Sequence, residues 1–338
     1  MTVTIKDVAA RAGVSPKTVS RVMNHEAHVR AEVREAVMRV VAELGYRPNA
    51  FARSLSSARS YLIALFIDDA ASGYASTMQR GALDRCRRSS YHLITETLAL
   101  DQAGWAETLE ETARALHLDG AILAPPLSQS AALLDRLDRL RLPYVCVSPN
   151  EEAPPRSGIV AFDEEAAAFD ITCHLLGLGH RDVAFVEGAP SHASAVLRRA
   201  GFERAMRTAG LPVVSDWLQP GDFSFRAGLA AGESLLTGPR RPSAIFASND
   251  DMALGVSVAA MKHHVAVPAE LSIVGFDDAP TARLAWPPIT TVRQPTAQMG
   301  AAAVEMLIDP AYRDAMKASI YRRQMDYQVL VRESTGPA

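Results

Sequence analysis

Apolar residues near the N-terminus recur at Ile5, Val8, Ala9 and Ala12, the spacing of one helix face. Thr4 with Asp7 three positions on makes a capping-box-like start, and Gly13 stops the helix. Ser15 then Pro16 opens a second helix, because a Ser hydroxyl caps orphan N–H groups and Pro suits the first helical position. Val19, Val22 and Met23 share one face of it; Lys17, Ser20 and Arg21 share the other. Residues 4–24 therefore read as a helix-turn-helix with a basic edge on its second helix. After a polar turn, Val33, Val37, Val40, Val41 and Leu44 predict a third helix ending at Gly45. Its start is weak, since Arg30 stands where Ser or Asp would cap best.

Residues 48–60 read as a linker, in which Pro48 and Asn49 break the helix and small residues dominate afterwards. A short helix capped by Asn49, with Ala52 and Leu55 on neighbouring positions, is too brief to persist alone and needs a partner such as DNA. A tether whose Leu55 packs on the body is the alternative. From Tyr61 onward, short apolar strands alternate with helical runs. Strands are expected at 62–67, 92–95, 121–123, 144–147, 159–162, 183–186, 244–247 and 272–276. Helices are expected near 76–88, 104–117, 131–141, 164–176, 195–209, 225–236, 250–262 and 295–308. Strand then helix, repeated, predicts parallel sheets covered on both faces, and eight such units exceed one common doubly wound sheet, so two subdomains are expected.

In open parallel sheets ligands bind beyond the C-terminal strand ends. Polar groups recur there: Asp68 and Asp69, Glu96, Ser148 and Asn150, Asp163, Glu187, Asn249 and Asp250, Asp277 and Asp278. Two sheets facing each other would converge such groups on one small polar ligand, for which hydroxyl-rich molecules fit best. Asp163 and Asp250 each precede a helical run, so each is either a helix cap or a ligand contact. Asp277 is followed by Ala279-Pro280 and Trp286-Pro287-Pro288 rather than a clear helix, which favours a ligand role.

Charge sharpens the N-terminal reading. Residues 1–58 hold nine Lys/Arg against five Asp/Glu, a balance of +4; with a total of -3, the remainder carries -7. A cationic head on an acidic body suits nucleic acid. Lys17 and Arg21, four apart, lie side by side and can both donate to guanine O6 and N7 in a major groove. Ser15, Thr18 and Asn24 flank them as phosphate contacts, and Thr4 and Lys6 are assigned to DNA at the start of the first helix. An ordinary helical hairpin with a solvated basic face is the competing reading of that stretch taken by itself.

The length, 338 residues with 48% hydrophobic and 22% charged, predicts two or three globular domains. Three cysteines, Cys86, Cys146 and Cys173, give neither a disulfide framework nor zinc-ligand spacing. The charged first twenty residues predict no signal peptide, and the longest apolar run, Tyr61–Ile67, is too short for a membrane span, so a cytoplasmic protein is expected. No G-x-S-x-G elbow, P-loop, G-x-G-x-x-G fingerprint or H-E-x-x-H is present, and neither an enzyme, a cofactor nor a metal is expected.

TIKDVAARAGVSPKTVSRVMN followed by ELGYRPNAFARSL resembles the DNA-binding head and hinge of LacI/GalR-family transcription regulators. LGHRDVAFVEG, SAVLRRAGFERAM, AIFASNDDMALG, LSIVGFDD and PPITTVRQP are similar to that family's core signatures, in order, so the resemblance covers essentially the whole chain. It implies a helix-turn-helix head at 1–47, a hinge helix at 48–60 and a periplasmic-binding-protein-like core at 61–338. The core's N-subdomain is expected at about 61–160 plus 292–322, and its C-subdomain at about 161–291 plus 323–338, with the chain crossing between them three times. Base reading is implied for Pro16, Lys17 and Arg21, with Leu55 wedging into a minor-groove step and Ala52 packing beside it. Arg198, Asn249 and Asp277 match effector-binding positions, with Asp163 and Phe223 where pocket groups are expected. Trp286 either lines the pocket or packs in the core, and Tyr74 is a further candidate. The resemblance implies a repressor working as a homodimer on a near-palindromic operator, switched by a small effector. A sugar is favoured and a purine is the alternative; a cytosolic sugar receptor or sugar enzyme built on the same core is the rival from another class.

Overall fold

The first helix, α1 (Ile5–Ala12), starts where the sequence places it: the Asp7 carboxylate accepts from the Thr4 backbone N–H at 2.8 Å and from its hydroxyl at 2.7 Å. Gly13, at φ 67°, ends it in the left-handed conformation that glycine adopts without a Cβ penalty. Ser15 Oγ accepts from the Thr18 N–H at 3.1 Å and caps α2 (Pro16–Met23). The third helix, α3 (Ala31–Leu44), begins at Arg30 with no side-chain cap, as its sequence implies. Helices of eight residues do not hold alone. Val8, Ala9, Val19, Val22, Val37 and Val40, all buried, tie the three together.

The structure, a computed structural model, describes residues 3–23, 29–46, 59–70, 73–149, 157–315 and 321–338. The chain separates after Tyr61 into two units, residues 1–61 and 62–338. The proposed hinge residues Ala52 and Leu55, with Asn24 and Asn150, lie outside the described residues.

The larger unit holds two parallel sheets. The first runs in the order β11-β5-β4-β3-β1-β2, formed by β1 (Leu62–Ile67), β2 (His92–Thr97), β3 (Gly120–Leu123), β4 (Tyr144–Val147), β5 (Gly158–Phe162) and β11 (Arg322–Met325). The second runs β7-β6-β8-β9, from β6 (Val183–Val186), β7 (Leu218–Gln219), β8 (Ala244–Ala247) and β9 (Ser272–Val274). β3, β4, β5, β6 and β8 are buried at every position, the unbroken apolar run that a sheet covered on both faces requires. Around the first sheet lie α4 (Gly73–Arg88), α5 (Trp105–Ala115), α6 (Ala131–Leu140), α12 (Thr296–Ile308) and α13 (Pro310–Ala315). Around the second lie α7 (Glu164–Gly177), α8 (Ala193–Thr208), α9 (Phe225–Thr237), α10 (Asp250–Lys262) and α11 (Pro280–Leu284). A Cβ on Gly228 would fall on the backbone of Met252, and one on Gly255 on the backbone of Phe225, so α9 and α10 approach closely only because both positions are glycine. The chain passes between the sheets after β5, before α12 and after β11, while β10 (Thr291–Arg293) pairs antiparallel with β12 (Gln328–Leu330).

Several elements depart from the expected pattern. β7, β10, β11 and β12 have no apolar run to announce them; β11, Arg-Arg-Gln-Met, alternates exposed and half-buried at the sheet edge, pairing Arg322 with Ile159 and Met325 with Phe162. The expected N-subdomain end at 322 therefore falls on the first residue of a strand that belongs to the first sheet. β9 stops at Val274 rather than at 276, because the Gly275 N–H turns to the Thr290 carbonyl. Pro280 at its first turn also starts α11 where no helix was expected. Among the described residues, no helix is long and apolar enough to cross a membrane.

Candidate functional site

Ala195, Arg198, Phe202 and Ala205 recur at helical spacing on the buried face of α8, so the fold carries Arg198 inward among apolar neighbours. A Cβ on the next glycine, Gly201, would meet the Glu165 carbonyl oxygen and the Ala168 side chain, so only glycine lets α7 lie this close to α8. That approach brings Glu164 Oε2 to 2.9 Å from Arg198 Nε, with the two side chains 5% and 6% exposed. Arg198 Nη1 also donates to the Ser248 carbonyl at 2.5 Å and stands 3.5 Å from Asp277 Oδ1. Its guanidinium carbon lies 3.9 Å from the centroid of the Phe276 ring, a cation–π contact.

Asp277 reaches this arginine from a turn of unusual backbone. Asp277 and Asp278 have φ of 113° and 54°, conformations that cost side-chain-bearing residues about 1–3 kcal/mol each and persist only where the surroundings over-determine them. Here the Asp277 N–H donates to the Val292 carbonyl at 2.8 Å, and the Asp278 carboxylate is gripped by Arg293 at 2.7 Å and by Arg332. Burial acts to raise the Asp278 carboxyl, but the two arginines outweigh it and hold it below its ordinary range. Burial pushes the Asp277 carboxyl up to about 7, against Arg198 and the Gln294 amide that favour its charged form. Burial, reinforced by Glu164 and Asp277, likewise raises the Tyr74 hydroxyl.

Glu164, Arg198, Asp277, Gln294 and Tyr74 line one cavity of about 310 Å³ between the two sheets. From the first-sheet side come Asp68, Asp69, Tyr74 and Pro125; from the second come Glu164, His192, Arg198, Phe223, Asn249 and Asp277, with Gln294 from the connection before α12. Phe223, at φ 70°, leans over Gly188, where a Cβ would strike its ring, and meets His192 edge-on at 5.2 Å. Burial, partly offset by the Asp68 carboxylate, keeps the His192 imidazole below its usual pKa. Asn249 both caps α10, accepting from the Met252 N–H at 2.9 Å, and donates from Nδ2 to the Phe223 carbonyl at 2.8 Å. It thereby fixes the aromatic wall and keeps one amide hydrogen for a ligand.

Arg198, Asn249, Asp277, Phe223 and Tyr74 are thus brought together, and two candidates are not. Asp163 accepts from the Ala166 N–H at 2.8 Å as the cap of α7 and does not line the cavity: its strand-end position served the helix. Trp286 is 83% exposed, which excludes both the pocket and the core. Asp250, fully buried, accepts from Thr291 Oγ1 at 2.6 Å and the Ala279 N–H at 2.7 Å, bracing the turn before α11 rather than meeting a ligand. Glu164, His192 and Gln294 escaped sequence reading. Glu164 adjoins a strand-end aspartate and was hidden behind it, while Gln294 follows a strand too short to recognise.

In the head, Lys6, Pro16, Lys17 and Arg21 are exposed, as is Thr4, whose hydroxyl is held by Asp7. The Ser15 and Thr18 hydroxyls stand 3.0 Å apart, bonded to each other across the start of α2.

A helix-turn-helix with an exposed basic edge, and a two-sheet core enclosing a polar cavity, define a ligand-responsive DNA-binding regulator. The family model described as bacterial regulatory proteins, lacI family, matches residues 4–49, and that for a periplasmic binding protein-like domain matches residues 172–335. Catabolite control protein A of Priestia megaterium is 32% identical over 339 residues, covering 99% of this chain and 100% of that protein. A solved complex of the transcriptional regulator CelR with cellobiose superposes with a TM-score of 0.74 at 29% identity, over 98% of this chain and 99% of that one. The lac repressor dimer bound to operator and the anti-inducer ONPF gives 0.78 at 26% identity, over 99% and 100%. The chain belongs to the LacI family. It is a DNA-binding transcription regulator, not an enzyme.

Proposed function

We propose that this protein is a sugar-responsive repressor whose effector occupies the cavity around Arg198, Asp277, Asn249 and Phe223. The observation that carries this reading is the buried guanidinium and half-buried carboxylate set beside an aromatic wall, the combination that binds vicinal hydroxyls and a sugar face at once. The relative solved with cellobiose supports a sugar. Effector binding need only favour the state that does not grip DNA by a few kcal/mol to switch transcription. A thermal-shift screen of sugars, glycosides and purines, followed by operator-binding titrations with the hits, tests it. Stabilisation by purines and by no sugar would move the effector to the alternative class.

Residues 1–47 serve as the reading head in this proposal. Residues 48–60, with Ala52 and Leu55, act as the hinge that docks in the minor groove, and residues 61–338 form the effector and dimerisation core. Thr4, Lys6, Ser15, Thr18 and Asn24 are placed on the phosphates, and Pro16, Lys17 and Arg21 on base edges.

Two copies acting on one near-palindromic operator need a subunit interface. α10 and α11, which pack on each other, expose Met261 (66%), Leu284 (84%) and, just beyond, Trp286 (83%), large apolar surface that a second copy would cover. Joint replacement of Leu284 and Trp286 by Ser is expected to shift sedimentation from dimer to monomer without lowering the melting temperature of the core. An unchanged dimer would place the interface elsewhere.

Asp277 gives the effector affinity a pH signature. With a carboxyl titrating near 7, a ligand hydroxyl donating to the ionised form binds more tightly as pH rises from 6 to 8 and levels off above. Calorimetry across that range should show the rise, and Asp277→Asn should flatten it; a wild-type curve that is already flat would remove Asp277 from direct contact.

A further inference from the structure

The cavity's charge is lopsided. Six acidic side chains line it, Asp68, Asp69, Glu164, Asp222, Asp251 and the partly protonated Asp277, against Arg198, the one lysine or arginine among the described lining residues. The charge of that arginine is already matched, though its Nη2 donors are not used by these contacts: Glu164 sits 2.9 Å from Nε, and the Ser248 carbonyl and Asp277 share Nη1. Burial disfavours the protonated, positive form of His192. A second, independent observation comes from Gln294, 5% exposed and lining the same cavity. Its Nε2 donates to Asp277, while its Oε1 is buried without a hydrogen-bond partner among the described residues. A buried acceptor left unmet is costly and marks a place where a donor is wanted.

We propose, resting on the reading of this cavity as the effector site, that it takes an amino sugar, whose ammonium group answers the surplus carboxylates and whose hydroxyls answer Arg198, Asn249 and the Gln294 amide. The chemistry is asymmetric. An ammonium carries three donors and no acceptor, so every hydrogen bond it makes here is charge-assisted. Among the described residues a phosphate or carboxylate on the ligand would find no uncommitted cation, and it would add to a field that is already negative. Sugar phosphates and uronates are therefore expected to bind worst, and the neutral parent sugar is the weaker ligand beside its amino form.

The test is calorimetry and thermal shift on the full chain with matched sets built on glucose, galactose and mannose: the parent, its 2-amino-2-deoxy form, its 6-phosphate and its uronate. One amino sugar is expected to bind roughly tenfold more tightly than its parent. Raising the salt concentration should narrow the gap. Asp251→Asn, which removes one half-buried charge, should cost the amino sugar severalfold more affinity than it costs the parent. A parent sugar that binds as tightly as its amino form, or a phosphate or uronate that binds best, overturns the inference. If that parent's binding is lost in Arg198→Ala, the pocket assignment survives on its own. Failure of every class to bind overturns both.

Discussion

Arg198→Ala is expected to abolish effector binding and to destabilise the core by about 3–5 kcal/mol, roughly 10 °C in its melting temperature. The loss has two origins. The guanidinium is the positive group facing Asp277 and the cavity, so a ligand loses its principal donor. Its removal also strands the Glu164 carboxylate, 5% exposed, without the partner that made its burial tolerable, and strips the cation from the face of Phe276. Breaking such a pair is costlier than removing it whole. The double change Arg198→Met with Glu164→Gln is therefore expected to regain most of the lost stability while still failing to bind effector. Thermal denaturation with calorimetry on the three proteins separates the two effects, and an Arg198→Ala protein that keeps its ligand affinity would show the pocket to be misassigned.

The second large effect lies in the head. Arg21→Ala and Lys17→Ala are each expected to weaken operator binding by roughly tenfold to a hundredfold and to weaken binding to random duplex much less. Both side chains are exposed on α2, one helical turn apart, where a helix laid in a major groove presents them to base edges. Lys6→Ala, at a proposed phosphate contact, should instead weaken both DNAs alike and reduce the salt dependence. Fluorescence anisotropy with operator and scrambled fragments distinguishes them. Equal losses on the two fragments for Arg21→Ala would remove that residue from sequence reading.

Why some of this was legible along the chain follows from the range of the forces involved. Helix starts at Thr4 and Ser15 and stops at Gly13 and Gly45 are decided within four residues, by local hydrogen bonds and by the backbone freedom of glycine, and each appears where the sequence places it. The apolar runs of β1, β3, β4, β6 and β8 announce themselves because both sheet faces are covered. β11 is the contrary case: its polar residues become a strand only because β5 offers a free edge. Asp163 and Asp277 show the same limit at the site. Both follow strands, yet one carboxylate folds back on its own helix while the other is carried into the cavity by a turn that Arg293 and Arg332 hold from distant segments.

The sequence by itself determined the helix-turn-helix head, the parallel α/β core and the family, because periodicity, caps and motif order are properties of neighbouring residues. Only the tertiary structure decided which polar groups form the cavity. Glu164, Arg198, Asp277 and Gln294 come from four separate segments, and their shared burial, paired charges and raised Asp277 carboxyl exist only once the two sheets and the connections between them have closed around them.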